Sequence, residues 1–457
     1  MIKHFLSIGL LIFLFFAGCK TASLPPSPPP EENSYSTTED VPSERSSSKP
    51  DQTADDKIPP AAQAQQALRT EEPPATQAQQ TLHTEEPPAT QAQQAQHAEK
   101  PPATKGDFTV NDAAALAQAI AAINADSTNG TYTITLKATL SADPLAFTGN
   151  AAKTVILQAD GSPRTIRNNG TGALFTVPKG ITLALAENTA LDGNGKEAAL
   201  VSVDGGTLIM KEGSTLYGAE KSAVSLSNKA TFTMQGGEIR DNACGSNGKG
   251  GGVFVSDSAF TMEGGNIGGN ARGVSKGGGV FVAADGVFTM RGGTIRNNSA
   301  DEAGGGVYID RGVFTMEGGA ISDNTASYGG GVSVSEGAFA MESGTIDKNT
   351  GYRGGGVYMN NSATFVMTDG SINGNTSVSS SYGGGGVYVN NGSVFSMEGG
   401  SVNGNASSYR GGGVYVENKG KFSLEGGELS GNKAIGTDGG VYVDDTGIFI
   451  NGRAGGR

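Results

Sequence analysis

The stretch Gly304–Asn324, GGGVYIDRGVFTMEGGAISDN, decides the fold, because variants of it recur through the C-terminal half of the chain. The valine after the glycines falls at Val253, Val280, Val307, Val332, Val357, Val387, Val414 and Val441, a spacing of 25 to 30 residues and most often 27. A period in this range marks a solenoid, in which each repeat is one supersecondary unit that cannot bury its apolar face alone. The repeat offers three strand signals separated by turns. Val307-Tyr308-Ile309 puts its aliphatic residues on one face and its tyrosine on the other, and Phe314-Thr315-Met316 alternates likewise. Gly318-Gly319 then turns the chain, Ile321 points inward, and Asn324 closes the third side.

The same residues return at the same places. The Phe/Met pair recurs as Phe260/Met262, Phe288/Met290, Phe339/Met341, Phe365/Met367 and Phe395/Met397, and the asparagine as Asn242, Asn270, Asn298, Asn324, Asn349, Asn375, Asn405 and Asn432. Asparagine tolerates a left-handed backbone, and its amide can hydrogen-bond to copies above and below. An internal asparagine ladder at a corner is therefore expected. Like sits on like at every position, which implies parallel, in-register stacking. One coil buries too little to fold by itself, so main-chain ladders and packing between neighbours must supply the rest.

Working back from the repeats, Asn111-Asp112 precedes AAALAQAIAAIN, an alanine-rich helix with Leu116, Ile120 and Ile123 on one face. A short amphipathic helix at this place suits the open end of a stacked sheet, which would otherwise leave apolar interior in water. Strand signals follow at Thr131–Leu136, Val155–Leu157, Ala173–Val177, Ala199–Val203 and Phe232–Met234. These put the start of the solenoid near residue 130 and give about 11 or 12 coils, a stack roughly 55 Å long at the ordinary strand spacing.

Composition narrows the function classes. Gly accounts for 72 of 457 residues, Trp is absent, and the formal net charge is −13. Residues 1–106 carry 8 Lys+Arg against 13 Asp+Glu, and residues 107–457 carry 24 against 32. Neither part is basic, so no nucleic-acid partner is expected. All three histidines (His4, His83, His97) lie before residue 107, so the folded part has no imidazole for a catalytic triad or a zinc site. No cofactor or metal is expected. The two cysteines, Cys19 and Cys244, offer no disulfide framework.

Met1–Lys20 has a basic start at Lys3, an apolar run from Phe5 to Phe16, and then Ala17-Gly18-Cys19. The apolar core is too short to span a membrane and reads as a secretory signal peptide. Its ending resembles the lipobox of bacterial lipoproteins, with Phe16 where leucine is usual. That resemblance implies that residues 1–19 are a signal with a lipidated Cys19, and a membrane held through the acyl chains. Residues 20–106 are rich in Pro, Gln, Ala and Glu and repeat a 14-residue unit at Gln63–Thr76, Gln77–Thr90 and Gln91–Thr104. They read as a disordered stalk. Residues 107–457 are the folded domain.

The cap helix, the coil length, the three short strands and the stacked Asn, Phe and Val together resemble the right-handed parallel β-helix of the pectin-lyase-like superfamily. The GGGVYV…Ile-x-x-Asn repeats are similar to those of polymorphic outer-membrane proteins, although no C-terminal translocator barrel, and so no autotransporter route, is expected. The resemblance covers about 350 residues and speaks to fold far more than to function. Pectin-lyase-like enzymes act on acidic polysaccharides through clustered acidic calcium ligands or paired aspartates. The residues before the repeated asparagine (Asp241, Gly269, Asn297, Asp323, Lys348, Gly374, Gly404, Gly431) supply no such pair on adjacent coils, and Asp301-Glu302 and Asp444-Asp445 read as solvated turn charges. No catalytic residue is assigned.

Two features remain for binding. The position between the valines reads Phe254, Phe281, Tyr308, Ser333, Tyr358, Tyr388, Tyr415 and Tyr442, an outward aromatic stripe suited to sugar rings or a protein partner. Stacked aromatics also stabilise a sheet face on their own, so both readings stand. If the stripe binds, serine at Tyr358, Tyr388 and Tyr415 should weaken binding and leave the fold intact. The second feature is the segment between the asparagine and the glycines, where repeat length varies. It carries Tyr328, Tyr352, Arg353, Tyr382, Tyr409 and Arg410 and is expected to project from one edge. The last repeat breaks off before another Ile-x-x-Asn corner, which predicts end-to-end association, a partner there, or a truncated reading frame. The expected whole is a lipid-anchored, outer-membrane, surface-exposed β-helix acting in binding or adhesion, with a protein or glycan ligand. A carbohydrate-active enzyme and a structural coat component are the alternatives.

Overall fold

The structure is a computed structural model that describes residues 104–149, 151–436 and 438–452. Cys19, the signal segment and the 14-residue units, apart from Thr104 at the end of the third, lie outside the described residues. The described chain is an all-β, right-handed parallel β-helix of about 13 turns. Each repeat passes through three long stacks. Val307–Asp310 belongs to a 12-stranded sheet that carries the tyrosines, Val313–Met316 to a 14-stranded sheet that carries the phenylalanines, and Ala320–Ser322 to a 12-stranded sheet that carries the isoleucines.

Register is what makes these stacks cohere. Phe288 lies against Phe314, Val280 against Val307 and Ile295 against Ile321, all in parallel pairing. The inward phenyl rings from Phe232 to Phe449 stack with centroids 4.5–5.2 Å apart and planes within 17° of parallel. That spacing equals the distance between hydrogen-bonded strands, so each ring sits squarely on the next and the sheet stays nearly untwisted. The phenylalanines, the methionines beside them and the valines and isoleucines of the other two sheets form one continuous core.

The solenoid starts earlier than the strand signals imply. A strand at Thr104–Val110 precedes the helix and pairs with Gly130–Leu136, so the first strand lies partly within the segment read as stalk. It opens the 14-stranded sheet, and with the irregular early coils it lengthens the stack beyond the expected 11 or 12 turns. The helix spans Ala113–Ala125, and the Asp112 side chain accepts a hydrogen bond from the Ala115 amide at 2.8 Å. Its buried residues Leu116, Ala119, Ile120 and Ile123 join the main core. The buried Lys153 ammonium donates to the Ile123 carbonyl at 2.6 Å, which satisfies one of the carbonyls left open at a helix C-terminus.

At the third corner the asparagines form a closed ladder. From Asn242 to Asn405 each side-chain Nδ2 donates to Oδ1 of the next asparagine at 2.9–3.1 Å. The same Oδ1 also accepts from the backbone N–H of the asparagine before it. The second Nδ2 proton goes to a carbonyl of the isoleucine strand, as from Asn324 to the Ile295 oxygen at 2.9 Å.

The left-handed residue of this corner is not the asparagine but its predecessor. Asp241, Asn297, Asp323 and Lys348 have φ between 54° and 57°, and glycine fills the same place at Gly269, Gly374, Gly404 and Gly431. A Cβ at positive φ crowds the following carbonyl, which explains why glycine alternates there with a few polar residues. Lys348 has neither the short polar side chain that eases this geometry nor burial. Lys348→Gly is therefore expected to stabilise the full chain by about 0.5–1 kcal/mol, the left-handed cost less the extra freedom of glycine when unfolded. Its exposed ion pair with Asp347 offsets little of this. A urea midpoint that falls instead of rising would contradict this account.

Candidate functional site

The segment expected to project from one edge instead lies flat. Thr325–Tyr328, Thr350–Arg353, Thr376–Ser377, Ala406–Ser407 and Lys433–Ala434 pair in parallel as a fourth, five-stranded sheet, and Ala243–Lys249 pairs with Arg272–Lys276 farther up. Each repeat thus has four sides rather than three. The glycine triplet makes this possible. Gly304 has φ +64°, and a Cβ on it would fall 2.4 Å from the Val307 carbonyl oxygen and 2.8 Å from Tyr308 Cα. Only glycine lets the chain double back this closely onto the tyrosine sheet.

The inward side of this fourth wall has its own small core of Cys244, Val274, Ala300 and Ala326. Cys244 is 1 % exposed, and burial pushes its thiol up from the ordinary range. It acts as a small hydrophobe there, not as a reactive group.

The fourth wall changes the reading of the aromatic stripe. Phe281 and Tyr388 are 0 % exposed, Tyr415 5 %, Tyr308 7 % and Tyr358 8 %; among the stripe's aromatics, only Phe254 and Tyr442 keep partial exposure. The stripe faces away from the main core, as expected, but it is covered. Serine at Tyr358, Tyr388 and Tyr415 would therefore open cavities, and the expectation that such replacements leave the fold intact is corrected. The physical cause is area: a column of rings left in water would forgo a large burial term that the adjacent segment recovers by folding over it.

The rings run as one column. Phe254, Phe281 and Tyr308 follow one another at 5.5 and 5.1 Å, their planes tilted by 30° and 42°. Ser333 interrupts the stripe, and Tyr328 of the fourth wall bridges the gap, packing against the cluster that holds Tyr308 and lying tilted against Tyr358 at 5.1 Å. Tyr358, Tyr388, Tyr415 and Tyr442 continue at 5.4, 4.9 and 4.8 Å. The Tyr388 hydroxyl donates to Glu417, and Asn390 Nδ2 donates to the Tyr358 hydroxyl at 3.3 Å.

A row of cations lies over this column. The residue just before each reversing glycine reads Lys249, Lys276, Ala303, Tyr328, Arg353, Gly383 and Arg410. The Lys249 ammonium sits 5.0 Å from the Phe281 ring centre and that of Lys276 5.2 Å from Tyr308. The Arg353 guanidinium is 3.3 Å from the Tyr382 centroid and 5.6 Å from Tyr328, and Arg410 is 5.2 Å from Tyr409 and 4.8 Å from Tyr442. Such contacts hold a cation in place without neutralising it. The two binding features expected separately are thus one structure, with Tyr328, Tyr352, Arg353, Tyr382, Tyr409 and Arg410 forming a ridge over the stripe. Lys249 and Lys276 escaped the sequence reading, although they occupy the register position of Arg353 and Arg410.

The outer surface of the ridge is unevenly exposed. Tyr352 is 44 % and Val378 52 % exposed, next to Tyr382 and the serine run of the longest insertion. Elsewhere, a groove of about 1070 Å³ runs along the corner between the tyrosine and phenylalanine sheets. It forms where Gly286, Gly312 and Gly337 stand in the place held by Ser258, Ala363 and Ser393 in other coils. Its rim groups Asp285, Arg311 and Glu336 are exposed turn residues. The acidic pairs noted in sequence have local roles. Glu302 pairs with Lys276 at 3.0 Å, and the Asp444 carboxylate accepts from the Thr446 and Gly447 amides and closes its turn. Among the described residues no group of three or more His, Cys, Asp or Glu side chains is placed to hold a metal ion.

No family model, curated protein or solved structure matches the chain. The parallel β-helix and the ridge accordingly rest on their own geometry.

Proposed function

We propose that the protein is a binding or adhesion scaffold displayed at a bacterial surface, anchored through a lipidated Cys19, with the residue 20–106 segment as its spacer. The observation that carries this reading is the ridge. Tyrosine and arginine are the residue types that dominate interface energetics, and here they cluster on one rigid surface beside an exposed valine. Most of the rest of each repeat is accounted for structurally by the asparagine ladder, the phenylalanine stack and the reversing glycines. A stiff β-helix holding a patch of this composition suits recognition of a macromolecule better than turnover of a small one.

The test has two parts. On intact producing cells, added protease should cleave the β-helix domain; a domain protected until the outer membrane is opened would end the surface-display reading. Next, Tyr352→Ser combined with Val378→Ser should lower attachment to immobilised host matrix by about tenfold, with circular dichroism unchanged, since both side chains are exposed and support no core. Equal attachment by the wild-type and the double variant would remove the ridge as the binding surface.

A further inference from the structure

We propose that Arg353 and Arg410 form a two-point site for carboxylates on an acidic segment of a partner protein; this rests on the ridge being the binding surface. The first argument is unspent charge. Among the described residues no carboxylate lies within ion-pair distance of either guanidinium. Asp438 exerts only a minor attraction on Arg410. Lys276, Arg291, Arg311 and Lys348 each pair with an acid, whereas Arg296 hydrogen-bonds to Asn266 and, like Arg353 and Arg410, has no acid within ion-pair distance. What sets Arg353 and Arg410 apart is that their unpaired charge is held against tyrosine rings of the ridge.

The second argument is preorganisation. Arg353 lies between Tyr328 and Tyr382, and its Nε is buried and makes no hydrogen bond. Arg410 donates to the Tyr442 hydroxyl at 2.8 Å and lies against Tyr409. The rings fix both planes, so the remaining N–H groups meet an incoming carboxylate with little rotamer entropy left to lose. A planar fork held this way accepts an oxyanion in bidentate fashion, which an ammonium cannot do. The two arginines are two coils apart, roughly 10 Å along the axis, and that sets the spacing of the acids recognised.

The third argument selects a protein segment. The neighbouring exposed groups are Val378 and Tyr352, and an aliphatic side chain adds nothing to recognition of a sugar hydroxyl but buries well against a peptide. The concave run that would cradle an extended sugar chain is the groove on another corner.

The test uses the full chain at about 0.15 M salt, where a Debye length of about 8 Å makes the local patch rather than net charge decisive. The probes are a peptide of alternating glutamate and serine, its glutamine counterpart, dextran sulfate and neutral dextran. The acidic peptide should bind and the glutamine peptide should not. Arg410→Gln should weaken binding about tenfold and the Arg353→Gln/Arg410→Gln pair about 100-fold. Arg→Lys at both sites should fall between, because charge survives without the fork. Arg410, on the outer side of its rings, is the variant least able to disturb the fold, and it decides the matter if Arg353→Gln unfolds. Equal binding of both peptides, or no effect of Arg410→Gln, overturns the proposal. Retention of dextran sulfate in place of the acidic peptide overturns the choice of partner. If the Tyr352/Val378 variant loses matrix attachment while both arginine variants keep it, the carboxylate site fails and the ridge stands.

Discussion

Replacing Asn324 by alanine is expected to lower the unfolding free energy by about 3–5 kcal/mol, a large share of what holds a domain folded. Four hydrogen bonds disappear together. The Ile295 oxygen loses its donor, Asn349 Oδ1 loses one of two, and both the amide and one Nδ2 proton of Asn298 lose their acceptor. All of these groups are inside, where water cannot replace the partner, so the cost is that of stranded polar groups rather than of ordinary surface bonds. Asn324→Asp should be worse, because a carboxylate would face the Asn349 and Ile295 oxygens it cannot donate to. Urea denaturation of the three chains should therefore rank them wild type, Asn324→Ala, Asn324→Asp. A loss below about 1 kcal/mol for Asn324→Ala, the size of a single exposed hydrogen bond, would show that the ladder is not closed in solution.

The second large effect is loss of stability in alkali. Burial pushes the phenols of Tyr308, Tyr358, Tyr388 and Tyr415 above the ordinary tyrosine range, and for Tyr388 the hydrogen bond to Glu417 adds to it. The folded state thus keeps protons that the unfolded chain releases near pH 10. Stability is full below that pH and falls as pH rises toward the folded values, by roughly 1.4 kcal/mol per pH unit for each phenol. While all four stay protonated in the folded state, they together give a limiting slope of about 5.5 kcal/mol per unit above pH 10. Phenolate absorbance should appear with unfolding and not before it, at least for these four rings. Tyr388→Phe should flatten the slope by about a quarter. Stability unchanged between pH 9 and pH 11 would show that the column of rings is open to water.

Much of this architecture was legible from residues alone, and the reasons are specific. The phenylalanine, isoleucine and asparagine stacks were readable because each is a single residue type at a fixed place, and a parallel in-register stack requires that. The covered stripe was not readable, because period-two alternation says only that Tyr308 points away from Ile309. It does not say what lies above Tyr308. That depended on Gly304 reversing the chain tightly enough to lay another strand on the tyrosines, a matter of backbone geometry hidden in a glycine triplet that also fits an ordinary turn. The fourth strand was hidden for a related reason. Thr325–Tyr328 has short, polar, variable residues because its inward side meets only a narrow space, filled by Ala326 and its stacked neighbours Cys244, Val274 and Ala300. Low hydrophobicity there signals thinness and not exposure. The left-handed residue was placed one position late, because Asn is the obvious candidate and the varied set at its predecessor shares only tolerance of positive φ.

The asparagine ladder also bears on how such a molecule changes over generations. Each layer offers the next the same ring, the same amide and the same pairing edge, so a layer gained or lost as a unit leaves two matching surfaces in contact. Duplication or deletion of one repeat in the gene then alters how far the ridge extends without asking any residue to find a new partner. Substitution, by contrast, meets an exacting neighbour above and below. Length is the variable this chain is free to explore, and the identity of its stacked residues is the one it is not.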